Sequence, residues 1–370
     1  LRSRRASHAR KSFLMKESDT QFGIYVHVPF CSRRCDYCSF ATWTDKEHLI
    51  EQYLAACKAQ ADKWLPQVPS ITSIFVGGGT PNLVPASLLM TVVSELPLAD
   101  DVEFTVECNP DLVTSSQMET YAKAGVNRIS LGVQSMIPHV LESLGREHEP
   151  RNVQLAANEI RSAGIANLSF DLIYGAKGES IEDWRTTLQN AIALKPDHLS
   201  AYGLTVEPGT PLAADAGRHP DDDDQADKYF EAERLLTEAG YANYEISNWS
   251  QLGKASRHNL LYWNQDEYLG LGVAAHSHIN QKRFWSVRTP ERFISAISEN
   301  SSVEAASEQL DAESWELEGR QLALRTSRGV PEKFIPKEVR HLTEPAEVAG
   351  NLKLTVEGRL LANEVAIRLR

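Results

Sequence analysis

The stretch YVHVPFCSRRCDYCSF, residues 25–40, joins an apolar segment to a tight group of cysteines. Cys31, Cys35 and Cys38 form a C-x3-C-x2-C array shortly after a strand predicted at Phe22–Val28. Thiols at this spacing can converge on one metal centre without help from distant parts of the chain. A structural zinc site and an iron–sulfur cube both normally take four protein ligands, so three thiols leave one position open. The array therefore predicts a reactive metal centre in the loop after the first strand.

Two alternatives to that centre stay open at the level of the residues. His27 could complete a zinc site, and the array could bind a purely structural cluster. The other thiols, Cys57 and Cys108, do not share the spacing of the array and are expected to be small buried apolar side chains. A total of 5 cysteines is too few for a disulfide framework. This usage favours a reducing compartment, and we predict a cytoplasmic protein.

Short apolar runs alternate with helical patterns from residue 21 to about residue 204. Helices are predicted at His48–Leu65, Ser115–Ala124, Val153–Ala163 and Ile181–Leu194. The predicted strands are Phe22–Val28, Ser73–Gly77, Val102–Glu107, Arg128–Val133, Asn167–Ile173 and His198–Leu204. Such alternation indicates an α/β fold with a parallel sheet and right-handed crossovers, which an open flavodoxin-like sheet would also satisfy. Because the unusual polar residues all follow strand ends, we favour a partial six-unit (β/α) barrel with its chemistry at one rim.

Composition shifts divide the chain into four expected parts. Residues 1–20 are basic and are expected to be a disordered tail, although an organellar transit peptide or a segment that approaches anionic membrane lipid would also fit. The partial barrel is assigned to 21–215, and a barrel extension to 216–299. Within the extension, the acids of Asp221–Asp224 are expected to begin a helix rather than to bind a metal. A smaller, mostly helical C-terminal domain is assigned to 300–370.

Charge and hydropathy exclude several classes of protein. The mean hydropathy is -0.34 and no apolar run approaches the ~20 residues that a membrane-spanning helix needs. The formal net charge is -12, which has the wrong sign for holding a polyanion by charge alone. No nucleic-acid partner is therefore expected, and the same acidic balance disfavours an enzyme that modifies tRNA.

Further motifs restrict the interpretation of the cysteine array. They are YVHVPFC at 25–31, GGGTP at 77–81, ECNP at 107–110, RISLGVQS at 128–135, YEISNW at 244–249 and HNLLYW at 258–263. In this combination the chain resembles the oxygen-independent coproporphyrinogen oxidase-like group of the radical S-adenosylmethionine superfamily, over about residues 21–370. Within that group the motifs look most like those of its heme-chaperone branch.

The resemblance implies a [4Fe-4S] cluster on the three cysteines, with S-adenosylmethionine on its open iron. Tyr25 and Tyr37 would flank the cluster and nucleoside, and Glu107 and Arg146 would face the methionine moiety. By the same resemblance, Gly78, Gly79 and Thr80 would pass close to the methionyl end of the cofactor. Gln134 and Asp171 would form hydrogen bonds to its ribose or to nearby polar atoms. Taken singly, these residues also have purely structural interpretations. The glycines could simply form a tight turn, and Asp171 could be a helix cap.

Two features separate a heme chaperone from an oxidase. Oxidases of this group carry a further cysteine two residues after the last cluster ligand, and Phe40 occupies that position here. The HNLLYW motif is typical of the chaperone branch, where His258 would hold heme beside Tyr262 and Trp263. The implied partners are heme and heme-accepting apoproteins such as respiratory cytochromes. The alternatives are an oxidative decarboxylase of coproporphyrinogen and, for His258, a structural hydrogen bond to the backbone; His276 and His278 form a second candidate pair.

Overall fold

The computed structural model describes residues 21–369. The basic tail predicted for residues 1–20 lies outside the described residues. The strands are β1 Phe22–Val28, β2 Ile71–Gly78, β3 Leu98–Cys108, β4 Arg128–Gln134, β5 Asn167–Tyr174, β6 His198–Gly203, β7 Ala242–Glu245, β8 Asn248–Ser250, β9 Glu267–Leu271, β10 His276–Ile279, β11 Lys282–Ser286, β12 Glu304–Gln309, β13 Val330–Pro331, β14 Thr343–Pro345 and β15 Asn351–Leu354.

Helices connect these strands. They are α1 Ile50–Trp64, α2 Ala86–Thr91, α3 Ser115–Lys123, α4 Pro138–Ser143, α5 Pro150–Ser162, α6 Ile181–Ala193, α7 Asp222–Glu238, α8 Arg257–Trp263, α9 Pro290–Ser298, α10 Ala312–Ala323, α11 Val356–Leu360 and α12 Ala362–Ala366. Helix α7 begins within the acidic run as expected, because the Asp221 side chain caps it by accepting from the Asp224 N–H at 2.9 Å. No helix within residues 21–369 is long and apolar enough to cross a membrane.

Strands β1 to β6 lie side by side in chain order, and each is parallel to the next. They are short and nearly continuous in buried apolar residues, as expected for a parallel sheet covered by helices. The outer faces pack against the helices in one core that includes Phe104, Trp184 and Phe170. The predicted α/β class and the six parallel units are therefore confirmed.

The sheet continues beyond these units on both sides. Its order is β12-β11-β10-β9-β1-β2-β3-β4-β5-β6-β8-β7, with β9 parallel to β1 and the remaining additions antiparallel. The extra strands are mostly three to five residues long, too short for a periodic pattern to reveal. Since β12 pairs with β11, the sheet extends to Gln309. The four-part division, with a boundary at residue 300, stays a prediction.

The C-terminal region has a small core of its own. Leu324, Val339, Leu354 and Val365 are buried together in it, between α10, α12 and a three-stranded sheet of order β13-β15-β14. This sheet accompanies the helices that the sequence predicted. A β-bridge between Glu245 and Thr326 joins this region to the barrel extension.

Candidate functional site

A cavity of about 840 Å³ lies inside the partial barrel. It reaches from the carboxyl-end rim, where the cysteine loop follows β1, to the floor formed by the first residues of β4 and β6. The residues predicted to hold the cluster, S-adenosylmethionine and the heme iron line it: Tyr25, Cys31, Cys35, Tyr37, Cys38, Gly78, Gly79, Thr80, Glu107, Gln134, Arg146, Asp171 and His258. Trp263, predicted to lie beside the heme, does not line this cavity. Topology therefore brings into one cavity side chains that are more than 200 positions apart in sequence.

The cysteine loop is anchored at both ends. The Cys31 N–H donates to the Trp43 carbonyl at 3.1 Å, and the Trp43 N–H donates to the Pro29 carbonyl at 2.8 Å. At the rim, the Thr80 hydroxyl lies 3.5 Å from the Cys31 sulfur. All the cysteines of the described chain are free thiols, and burial raises the pKa of Cys31 and of Cys38. Cysteine ligates metals as the thiolate, so metal binding to this loop would release protons.

The zinc alternative is not supported by the position of His27. Its Nδ1 lies 3.0 Å from the Tyr25 hydroxyl and its Nε2 lies 2.9 Å from the Ala41 carbonyl, so both ring nitrogens have partners. Across residues 21–369, no three His, Cys, Asp or Glu side chains converge as they would around a single ion. Cys57 and Cys108 are buried in the core, as expected for small apolar side chains.

Two glycines shape the wall beside the cysteines. Gly78 has a φ of +108°, and a Cβ there would lie 2.4 Å from the His27 ring. A Cβ on Gly79 would lie 2.7 Å from the carbonyl oxygens of Val28 and Phe30, and 3.0 Å from the Cys31 sulfur. The turn after β2 therefore requires glycine to pass close to the cysteine loop.

We expect Gly79→Ala to destabilise the fold by about 1–3 kcal/mol, because the new methyl group meets backbone that cannot move without displacing the cysteine loop. Urea unfolding would measure this. The matched control is Gly217→Ala, whose methyl group would meet the exposed Asp215 carboxylate at 3.3 Å and should change stability little. Equal midpoints for the two variants would contradict the close approach.

Glu107 and Asp171 are half-buried carboxyl groups, the first near the carboxyl end of β3 and the second in the middle of β5. Glu107 accepts from the Gly78 N–H at 3.0 Å, and its pKa is raised to about 8 by burial and by the neighbouring Asp171. Asp171 accepts at 2.8 Å from the hydroxyls of both Ser130 and Ser200. Burial raises the Asp171 pKa, although these hydrogen bonds oppose the shift. Both carboxyls are suited to a cationic or hydroxyl-bearing ligand.

Gln134 and Arg146 occupy the rim opposite the glycine turn. Gln134 has a φ of 60° at the point where the pairing of β4 with β5 shifts register, and such irregularities often redirect a side chain at a site. Arg146 donates to the Gly132 carbonyl at 2.9 Å and lies 3.5 Å from the Cys35 sulfur. A fixed cation thus stands beside one of the predicted metal-ligating thiols.

His258 lies at the floor of the cavity, on α8. Its Nδ1 is 2.9 Å from the Ser73 hydroxyl and its Nε2 is 2.9 Å from the Tyr262 hydroxyl. The imidazole stacks on Phe75 at 5.4 Å, and Phe75 stacks in turn on Tyr25 at 6.3 Å. Burial lowers the His258 pKa to about 3, so the ring is neutral. Side chains, rather than the backbone, therefore hold this imidazole.

The second histidine pair lies on β10, and neither ring lines the barrel cavity. His276 is exposed and stacks on Trp285 at 5.3 Å, whereas His278 is buried with its Nδ1 2.9 Å from the Asp266 carbonyl. The two rings differ in surroundings and partners, and the structure does not bring them to the cysteine loop.

Sequence reasoning missed a polar lining inside the barrel. Ser130, Ser200 and Arg128 line the same cavity, and the Nε and Nη1 of Arg128 have no hydrogen-bond partner among the described residues. The available signal was alternation. Arg128, Ser130 and Gly132 occur at every second position of β4, and His198, Ser200 and Tyr202 do so on β6.

Comparison with known proteins identifies the family. Residues 25–191 match the radical SAM superfamily. "Heme chaperone HemW" of Mycobacterium tuberculosis (strain ATCC 25618 / H37Rv) is 36% identical over 93% of this chain and 93% of its own length. The protein of the same name from Bacillus subtilis (strain 168) is 30% identical over 92% of this chain and 97% of its own length.

Among solved structures, coproporphyrinogen III oxidase (HemN) from Escherichia coli superposes with a TM-score of 0.82. The alignment covers 95% of this chain and 90% of the oxidase at 20% identity, and so shows a shared fold. The two chaperone relatives align with at least 92% of this chain at 30% and 36% identity, which is higher than the 20% identity of the oxidase. The chain belongs to the HemW family of the radical SAM superfamily.

Proposed function

We propose that this chain is a heme chaperone that carries a [4Fe-4S] cluster and S-adenosylmethionine and passes heme to apoproteins. One observation carries the proposal. A single barrel cavity has three thiols at its rim and the neutral imidazole of His258, beside Tyr262, at its floor. Family membership supports the cluster and the cofactor, and the relatives' shared name supports the cargo.

The rim residues suit a cluster better than a single metal ion. A cube binds each thiol at a different corner, so its ligands need not converge on one point. Arg146 beside Cys35 offsets thiolate charge. When bound, the cluster supplies an iron with an open position, which the amino and carboxylate groups of S-adenosylmethionine can chelate. Glu107 would accept a hydrogen bond from that amino group, and Asp171 one from a ribose hydroxyl.

The floor residues suit heme iron in a specific way. Neutral imidazole is the form that binds iron, and the lowered pKa of His258 keeps the ring neutral. Its Nε2 is shared with the Tyr262 hydroxyl, so ligation requires that hydrogen bond to open. Phe75 and Tyr262 supply flat aromatic surface beside it.

The cavity mouth argues against the oxidase alternative. Phe40 lines it and is 62% exposed, so the position of the additional oxidase cysteine carries an apolar ring with no acidic proton. The cargo would pass to heme-accepting apoproteins such as respiratory cytochromes, in a reducing compartment such as the cytoplasm.

A heme titration with two variants tests the floor assignment. His258→Ala should weaken heme binding by removing the iron ligand. Tyr262→Phe should tighten it about twofold to tenfold, because the ring stays and the hydrogen bond competing for Nε2 is lost. The readouts are the dissociation constant from the heme absorption band and the transfer of heme to an apocytochrome. Unchanged binding in His258→Ala would overturn the assignment of the ligand, and weaker binding in Tyr262→Phe would show that the Tyr262 hydroxyl itself contacts the heme.

Conversion of coproporphyrinogen is the contrasting outcome. The reconstituted protein, with a reductant and S-adenosylmethionine, should leave coproporphyrinogen unchanged while it binds heme saturably. Stoichiometric release of carbon dioxide and formation of protoporphyrinogen would assign the chain to oxidative decarboxylation instead.

A further inference from the structure

A second cavity, of about 320 Å³, adjoins the barrel cavity where the C-terminal region meets α8 and β8. Tyr202, Asn248 and Asn259 line both cavities, so the two are separated only by side chains that they share. The far wall of the second cavity carries Arg325 and Arg359 from the C-terminal region. None of the functional assignments above uses this cavity.

Arg325 is held in place by its surroundings. Its guanidinium donates to the Asn363 Oδ1 at 2.7 Å and also to the Gln321 carbonyl. The next residue, Thr326, forms the β-bridge to Glu245, and the Ser327 N–H donates to the Tyr244 carbonyl at 2.9 Å. The backbone on the carboxyl side of Arg325 is therefore fixed to the barrel extension, beside the cavity.

The charge of Arg325 has no counter-charge among residues 21–369. Within residues 21–369 no carboxylate lies within 4.0 Å of its guanidinium, whereas Arg359 on the same wall pairs with Glu233 at 2.9 Å. Burial lowers the Arg325 pKa, with no nearby acid to offset the effect. A half-buried cation without a partner is costly, and an anionic ligand would remove that cost.

The other groups on the cavity wall favour an anion attached to an aromatic body. The Trp263 ring lines the cavity, and its buried Nε1–H has no partner among the described residues. Glu245 is the acid on this wall, but it accepts from the side chains of Asn248 and Asn259. Burial raises its pKa to about 7, so much of it is uncharged at neutral pH.

We propose that this second cavity binds a propionate carboxylate of the heme, with Arg325 as its cationic partner and Trp263 as a further donor. The inference rests on the proposed heme-chaperone function. Heme carries its propionates on one edge of a flat apolar ring, and the shared wall of Tyr202, Asn248 and Asn259 separates the floor of the barrel from Arg325. The C-terminal region would thus contribute directly to cargo recognition.

The test compares heme with heme dimethyl ester, in which both carboxylates are blocked, on the full-length reconstituted protein. Arg325→Gln should weaken heme binding about tenfold, as for a lost charge-assisted hydrogen bond. It should leave the weaker binding of the ester unchanged, and Arg325→Lys should restore part of the heme affinity. The matched control is Arg328→Gln, since Arg328 is exposed, donates to the Asn264 Oδ1 at 3.2 Å and lines neither cavity.

The outcomes separate this inference from the proposed function. Saturable heme binding that is equal in wild type and Arg325→Gln would overturn the carboxylate site and leave the chaperone function standing. Equal weakening of heme and of its ester would make Arg325 a structural residue. Succinate binding that depends on Arg325, together with heme binding that does not, would assign the cavity to a free carboxylic acid instead. Absence of heme binding by the wild type would overturn both proposals.

Discussion

Cys31→Ala, Cys35→Ala and Cys38→Ala, combined in one chain, should reduce bound iron from about four atoms per chain to none. The three thiols occupy a loop of eight residues at the cavity rim, and the other two cysteines lie in the core. With the thiols removed, the loop keeps no sulfur ligand, and its one carboxylate, Asp36, is paired with Arg218 at 2.7 Å. Anaerobic reconstitution followed by iron and sulfide assays would measure the loss, together with the absorption shoulder that reduction bleaches.

The matched control for the cluster is Cys57→Ala. Cys57 lies on α1 with its side chain fully buried in the core. The variant should therefore keep its full iron content and lose a modest amount of stability because of the small cavity created. Stoichiometric zinc with no iron in anaerobically prepared wild type would contradict the cluster assignment. Retention of iron by the triple variant would show that other side chains hold the metal.

Glu107→Gln should have opposite effects on stability and on cofactor binding. The folded-state pKa of Glu107 is raised to about 8, above the unfolded value near 4.5, so the folded chain holds a proton that the unfolded chain has lost. Wild-type stability attributable to this group therefore falls as pH rises from about 4.5 to about 8. Glutamine does not ionise, so the free energy of unfolding of the cofactor-free variant should exceed that of wild type by on the order of 3 kcal/mol at pH 7 to 8. The difference should be small at pH 4.5.

The same substitution should weaken the spectral response of the reduced cluster to S-adenosylmethionine, because the amino group of the cofactor loses a carboxylate acceptor. Urea unfolding at several pH values and titration of the reduced cluster measure the two effects. Glu119→Gln is the matched control, since Glu119 is exposed on α3, 3.6 Å from Lys123, and should change neither. A variant with no pH-dependent gain in stability would show that Glu107 is ionised in the free cavity.

These variants distinguish the two ends of the barrel cavity. The cysteines and Glu107 act at the rim, whereas His258 acts at the floor, and Phe75 stacks between Tyr25 and His258. Loss of cluster iron with heme binding retained would assign the two ends to separate tasks. Loss of both would couple them through the barrel.

The amino-acid sequence by itself determined the parallel core of the fold and the position of the cysteine loop after its first strand. Each of β1 to β6 is a short apolar run bounded by polar or glycine residues, and such local patterns persist whatever the rest of the chain does. The cysteine array and the glycine turn at residues 77–79 are also local signals, since each lies within eight consecutive residues. The parallel sheet then places the ends of all six strands at one rim.

Only the tertiary structure decided what each side chain faces. The hydrogen bonds of His258 to Ser73 and Tyr262, which occupy both ring nitrogens, depend on how α8 packs against β2. The missing counter-charge of Arg325 depends on contacts between the C-terminal region and the barrel extension. The short antiparallel strands β7, β8 and β10 to β12 likewise form by pairing with neighbours already in place. Such long-range packing and charge compensation leave no periodic signal in a single sequence, because they arise between segments whose separation along the chain is arbitrary.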